Sequence, residues 1–181
     1  GLHCQGAGGV GLAAAIEAVR AGAERIAVAL YPIALSLHRV SAEALTKSLA
    51  GVGLDTGVDL PGLWRASELV DEALGDEPVP PLSPRVAVRA AEYTLPAGLV
   101  AELDVRLREH GSDDRLDEVL EELTRIRREC GWPPLASPIG QVIGSQALLH
   151  VLSAQRWRFV VDELRDLVEG RYGTPPGEVD A

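Results

Sequence analysis

The stretch Leu135–Gln146, LASPIGQVIGSQ, joins a charged segment to an apolar one, and its reading decides the fold of the second half of the chain. Ser137, then Pro138, then Ile139, Val142 and Ile143 predict a helix start: a small hydroxyl residue, a proline and an apolar run. From Gln141 to Leu152 the residues are apolar almost all round, which predicts a buried helix. Upstream, Leu116, Val119, Leu120, Leu123 and Ile126 share one side of a helix running from about Asp113 to Cys130. Gly131 stops that helix and Pro133–Pro134 prevent its resumption. Its alternating charges predict a solvated face, with Arg125, Arg127 and Arg128 offset by Glu121, Glu122 and Glu129. Leu99, Leu103 and Leu107 recur every four residues and predict one more helix; Val160, Val161, Leu164, Leu167 and Val168 predict the last, before a polar tail from Thr174 to Ala181.

The first half has a different rhythm. Gly1–Gln5 reads as the tail of a strand, and Gly11–Ala21 as a helix stopped by Gly22. Arg25–Leu30 is a continuous apolar strand of the kind buried on both faces of a parallel sheet, ended by Pro32. Ser41 caps a helix through Leu49, and Asp59–Ala73 forms another, with Pro61 in its first turn and Leu60, Leu63, Leu69 and Val70 supplying apolar contacts. Gly75–Pro84 is a proline-rich loop, followed by a short extended piece at Val86–Val88. Strand–helix alternation followed by helices alone predicts an α/β half, residues 1–80, and an all-helical half, residues 81–181.

Composition narrows the function classes. A formal net charge of −10 argues against nucleic acid or an anionic membrane surface as partner. No apolar run approaches the roughly 20 residues of a membrane helix. The two cysteines, Cys4 and Cys130, make no disulfide framework, so a reducing cytoplasm is the expected compartment. The chain contains no methionine, which predicts a piece of a longer protein.

Several residues invite chemistry. Gly6–Gly11 fits G-x-G-x-x-G after a strand, but the next strand ends in Ala29, Leu30 and Tyr31 rather than in the acidic residue that would hold a ribose, so a small-residue turn is the better reading. His3 and Gln5 fall on the same side of a strand, where two imidazoles would make a metal pair; here the second position is a neutral carboxamide. Ser137 is by its position a plain helix N-cap. Ser36, His38 and Ser41 read either as a polar pocket edge or as loop and cap. His110 is expected exposed at a helix end and His150 satisfied within an apolar helix. Gly144-Ser145 lacks the preceding strand and the second glycine of a nucleophile elbow.

A resemblance covers nearly the whole chain and is strongest from Pro84 onward. Asp114–Glu122 (DRLDEVLEE) resembles a run shared by oxaloacetate decarboxylase α subunits, pyruvate carboxylase and transcarboxylase. Gly131–Leu135 (GWPPL) is similar to their G-Y-P-P-L, Gln141–Ala147 (QVIGSQA) to Q-I-V-G-T-Q-A, and Gly170–Gly177 to G-x-Y-G-x-x-P-G. In the first half, Asp55–Leu60 (DTGVDL) is similar to D-T-G-L-D-L, and Leu2–Gln5 matches L-H-x-H incompletely. The chain thus resembles the biotin-dependent carboxyltransferases. The resemblance implies the C-terminal part of a (β/α)8 TIM-type barrel followed by a helical carboxylase-family domain. It implies CO2 transfer between carboxybiotin and a 2-oxo acid such as oxaloacetate or pyruvate, or an acyl-CoA, through an enolate held by a divalent metal of the Zn, Mn or Co type. The metal positions fall on His3 and Gln5, the proton-relaying hydroxyl on Ser137 and the biotin contacts on Gly140 and Gln141. Biotin would arrive on a carrier domain or another chain, the N-terminal barrel half would precede this sequence, and the assembly would be a homo-oligomer. The departures are Gln5 for the second histidine, Gly140 for a side-chain donor, and Leu35–Val40 for the G-G-T-S-Q-P loop. They motivate an alternative: a catalytically degenerate relative serving as an assembly or partner-binding module.

Overall fold

The computed structural model describes residues 1–6, 9–36, 38–75 and 82–180, without the Ser36 side chain. The chain forms two compact units, Gly1–Ala97 and Gly98–Ala181. The expected boundary between residues 80 and 81 falls in the segment 76–81, outside the described residues.

In the first unit, strand β1 (Leu2–His3) pairs in parallel with β2 (Ile26–Ala27), with helix α1 (Val10–Arg20) between them. Extended chain continues the pairing: Gln5 bridges Arg39 and Ala29 bridges Ser41, so residues 39–41 lie beside both strand ends. Helices α2 (Tyr31–Ser36), α3 (Ala42–Gly51), α4 (Leu60–Leu74) and α5 (Pro84–Glu92) follow. The core sits where α1 and α3 meet the strands: Cys4, Ala15, Val40, Leu45 and Leu49 are buried, with Leu12, Ile16, Val19 and Ile26 packed against them. Ser41 caps α3 as its position foretells, accepting the Ala44 N–H at 2.9 Å.

Four local expectations are corrected here. Arg25–Leu30 is not a strand buried on both faces: regular pairing covers only Ile26–Ala27, and none of the six residues is buried. A strand with one regular partner leaves its outer edge and much of its faces uncovered. Tyr31–Ser36 is helical, because the buried Glu43 carboxylate accepts the Tyr31 N–H at 3.2 Å and supplies the start that the sequence around Pro32 lacks. Val86–Val88 is helical too. Ser83 accepts the Val86 N–H at 3.3 Å, Pro84 fits the first turn, and Val86 and Ala90, four apart, are buried. On α4 the buried residue is Ser67, bonded to Glu43, while Leu69 is exposed.

In the second unit, helix α6 (Ala97–Glu109, whose first residue ends the first unit) leads through a 3-10 turn at Asp113–Arg115 into α7 (Leu116–Glu129), then α8 (Ile139–Ser153) and α9 (Asp162–Val168). The heptad-like apolar face of α7 is fully buried, at 0–1% exposure for Leu116, Val119, Leu120, Leu123 and Ile126. It packs along α8, which buries Ile139, Ile143, Ala147 and Val151, while Leu99 and Leu103 of α6 touch α8 at Gly144. At about 25 cal/mol per Å² of apolar area, burial of each such leucine or isoleucine contributes roughly 1.5–3 kcal/mol. This helix pair is therefore the main stabilising element of the unit. The tail is not merely polar surface. Gly177 N–H bonds Gly131 O at 2.8 Å and Asp180 N–H bonds Glu129 O at 2.8 Å, satisfying carbonyls left over at the end of α7. Gly131 stands at φ +76°, and a Cβ there would lie 2.5 Å from Gly177 O, so the tail's approach requires glycine. No helix among the described residues is long and apolar enough to cross a membrane.

Candidate functional site

The start of α8 carries three of the residues singled out by sequence. Ser137 does not cap the helix: Pro138 occupies the cap position, the Ser137–Pro138 bond is cis, and no side chain bonds the helix start. Ser137 lies instead in the turn before the helix, exposed and with its hydroxyl unbonded among the described residues. Gln141, in the first turn, is exposed as well. Gly140 is buried. Its N–H is committed to Ala136 O at 3.1 Å, and a Cβ there would lie 3.0 Å from Leu135 O. Gly140 thus holds the Leu135–Ser137 backbone against the helix, while Ser137 and Gln141 present polar groups outward.

The surface before α8 is fixed from α7. Arg127 Nε donates to Pro133 O at 3.0 Å, and the guanidinium lies 5.6 Å from the centre of the Trp132 ring. Burial lowers the Arg127 guanidinium from its ordinary value, and no carboxylate among the described residues pairs with it to offset that effect.

Further along α8 lies a largely buried polar network that charge counting missed. Val161 N–H donates to Gln146 Oε1 at 2.9 Å. That bond turns the Gln146 amide nitrogen toward Phe159 O, 2.7 Å away, and toward His150 Nε2, 2.8 Å away. His150 Nε2 also accepts the Trp157 N–H at 3.0 Å, so the ring proton sits on Nδ1 and is donated to Glu122 Oε1 at 2.6 Å. Arg156 donates to Glu122 and to Glu129, each at 2.7 Å, and Arg125 to Glu129 at 3.1 Å. Burial raises the Glu122 carboxyl, but the hydrogen bonds from His150 and Arg156 outweigh it and hold Glu122 below the usual carboxylate range. His150 is therefore the satisfied histidine its apolar surroundings suggest, whereas Glu122 and Glu129 do not belong to a wholly solvated face. A cleft of about 390 Å³ opens beside Glu122, His150 and Arg156. Because the network's charges pair internally, it serves to clamp the segment 156–161 onto α7 and α8. In the sequence its signal was two polar residues, Gln146 and His150, four apart on a mostly apolar helix.

In the first unit His3 and Gln5 do come together, as alternation on a strand requires: Gln5 Nε2 lies 3.3 Å from His3 Nε2. A carboxamide thus occupies the imidazole nitrogen that a metal would need. Among the described residues no group of three or more His, Cys, Asp or Glu side chains is placed to hold a metal ion. One exposed imidazole and one neutral amide do not fit a divalent metal on their own. Of the other candidates, His38 stands at φ +50°, Ser41 is the α3 cap, and His110 is exposed as expected. The glycine motif lies partly on residues 7–8, outside the described residues. A Cβ on Gly6 would come within 2.9 Å of Gly11 N, so these two glycines serve a tight strand-to-helix packing.

The chain resembles known proteins in sequence and in fold. Residues 91–181 match the family described as the conserved carboxylase domain. The chain is 32% identical over 167 residues to a pyruvate carboxylase subunit of Methanocaldococcus jannaschii, covering 91% of this chain and 30% of that protein. It is 31% identical over 179 residues to the 2-oxoglutarate carboxylase large subunit of Hydrogenobacter thermophilus, covering 98% and 28%. The fold is similar to the carboxyl transferase domain of Rhizobium etli pyruvate carboxylase, with a TM-score of 0.67 at 19% identity over 98% of this chain and 33% of that one. The chain spans about a third of the length of the curated relatives it matches. The match of residues 91–181, half of the chain, to the conserved carboxylase domain, with the relatives at 31–32% identity beside it, assigns the chain to the biotin-dependent carboxyltransferase family.

Proposed function

We propose that this chain is part of a carboxyltransferase that moves CO2 between carboxybiotin and a small 2-oxo acid or acyl-CoA, with Ser137 as the catalytic hydroxyl. The observation that supports the reading is the exposed Ser137 hydroxyl, unbonded among the described residues, four residues before exposed Gln141 in the family-matched part of the chain. An unbonded hydroxyl both donates and accepts, which is what a proton relay between two reacting atoms needs. Gln141 offers a carboxamide to a neutral ureido ring, and Gly140 keeps the turn close to the helix. Biotin, carried on another domain or chain, supplies the carboxyl group. The relatives' names specify pyruvate and 2-oxoglutarate as their substrates, which supports a 2-oxo acid here. On this reading residues 1–80 are the last strand–helix units of a TIM-type barrel, residues 81–181 the helical domain, and the protein a cytoplasmic homo-oligomer with a biotinyl carrier partner. The test is turnover of oxaloacetate by the intact protein with free biotin: Ser137→Ala should abolish the biotin-dependent part, and unchanged turnover would remove the assignment.

A second reading has its own observation: the Gln5 amide lies against the His3 ring nitrogen, and among the described residues no further ligand joins them. On it the chain is a degenerate relative acting in assembly or partner binding. Elemental analysis of the intact protein decides between them. A stoichiometric transition metal counts against degeneracy, and metal gained only by Gln5→His identifies that position as the lesion.

A further inference from the structure

Arg127 sits in the last turn of α7, next to Arg125, which pairs with Glu129. Arg127 instead faces the chain that follows it. It donates to Pro133 O at 3.0 Å and lies over the Trp132 ring, while Trp132 N–H returns to Arg127 O at 2.9 Å. Trp132 is held at φ +58°, a left-handed conformation that a bulky residue keeps only when its surroundings enforce it. The segment from Gly131 to Pro138 contains three prolines, so few of its residues can anchor it through N–H groups. It is pinned at its start by the Gly131–Gly177 contact and at its end by Gly140, whose bare Cα receives Leu135 O. Arg127 fastens Trp132 and Pro133, between these two points.

We infer that Arg127 is a positioning residue for Ser137, setting the placement of the catalytic turn through Trp132 and Pro133. The inference rests on the proposed role of Ser137. A planar guanidinium that both stacks and donates fixes two neighbouring residues at once, which an ammonium does less well. A displacement of order 1 Å at a reacting group costs about 100-fold in rate.

The experiment compares Ser137→Ala, Arg127→Met and Arg127→Lys in the intact protein, by steady-state kinetics and by hydrogen exchange of the peptide spanning residues 132–141. Arg127→Met should lower kcat by about 10- to 100-fold with KM unchanged within about two-fold. Exchange in residues 132–141 should quicken, with that of α6 unchanged. Arg127→Lys should retain more of kcat than Arg127→Met. If Ser137→Ala abolishes turnover while Arg127→Met keeps kcat within about two-fold of the parent, positioning by Arg127 is overturned and the Ser137 assignment stands. If both Arg127 variants instead speed exchange throughout α6–α9, Arg127 has only a general structural role and the inference is again overturned. Turnover unaffected by Ser137→Ala would sink the Ser137 reading itself, and this inference with it.

Discussion

Replacing Gln146 by methionine keeps side-chain length and shape but removes the amide at the centre of the buried network. Gln146 is 0% exposed and satisfies Val161 N–H at 2.9 Å and Phe159 O at 2.7 Å. It also bonds His150 Nε2 at 2.8 Å, although that atom keeps the Trp157 N–H at 3.0 Å. Methionine therefore orphans two backbone groups and weakens a third site. An unsatisfied buried polar group costs about 1–3 kcal/mol. Both backbone groups are only partly buried, so the lower half of that range applies to each. Methionine's greater apolarity at a buried position returns a fraction of the loss. The expected net destabilisation is about 2–3 kcal/mol. The assay is urea unfolding followed by far-ultraviolet circular dichroism. With a slope of about 2 kcal/mol per molar urea, the midpoint should fall by roughly 1–1.5 M. A change below about 0.5 kcal/mol, the range of an ordinary surface substitution, would refute the claim that this network clamps residues 156–161.

Acid should act through Glu122. Its folded-state carboxyl is held below the unfolded value, so the unfolded chain binds the extra proton first as pH drops. The stability Glu122 contributes is complete above the ordinary carboxylate value of about 4.3 and is lost as pH falls below it. Urea midpoints measured from pH 6 to pH 3 should therefore decline less steeply in Glu122→Gln than in the parent, and parallel curves would contradict the assignment. Gly131→Ala should destabilise by more than about 1 kcal/mol, from left-handed strain and from contact with Gly177 O; a melting temperature equal to the parent's would show that the tail does not pack there. The isolated 181-residue chain should self-associate, because Val28, Leu54, Val58 and Leu69 are exposed and a cavity of about 640 Å³ opens among Val28, Leu45, Leu49, Leu54 and Leu63. A clean monomer by light scattering at micromolar concentration would disprove it.

Periodicity alone settled the helical second unit. The spacing of Leu99, Leu103 and Leu107, and of Leu116 through Ile126, produces an apolar stripe that has one way to become buried, so local pattern and tertiary result coincide. Stops at Gly22 and Gly131 and the cap at Ser41 were equally legible, since each is marked by an N–H bond within a few residues: Gly22 to Val19 O, Gly131 to Arg128 O, and Ala44 to the Ser41 hydroxyl. The motif run from Asp114 to Gly177 carried the family. What needed the tertiary structure were features made by partners distant in the chain. The start of α2 depends on Glu43, twelve residues away, and the Glu122–His150 bond spans twenty-eight. The apolar run Arg25–Leu30, taken by itself, could not tell how many neighbours its strand has. Ser137 shows the same division. Its sequence spells a helix cap, yet Pro138 takes that position and the turn, held by Gly140 and Arg127, leaves the hydroxyl exposed. A helix cap can be read locally because its donor and acceptor are near in sequence; the direction in which a side chain is finally presented depends on everything that packs around its backbone.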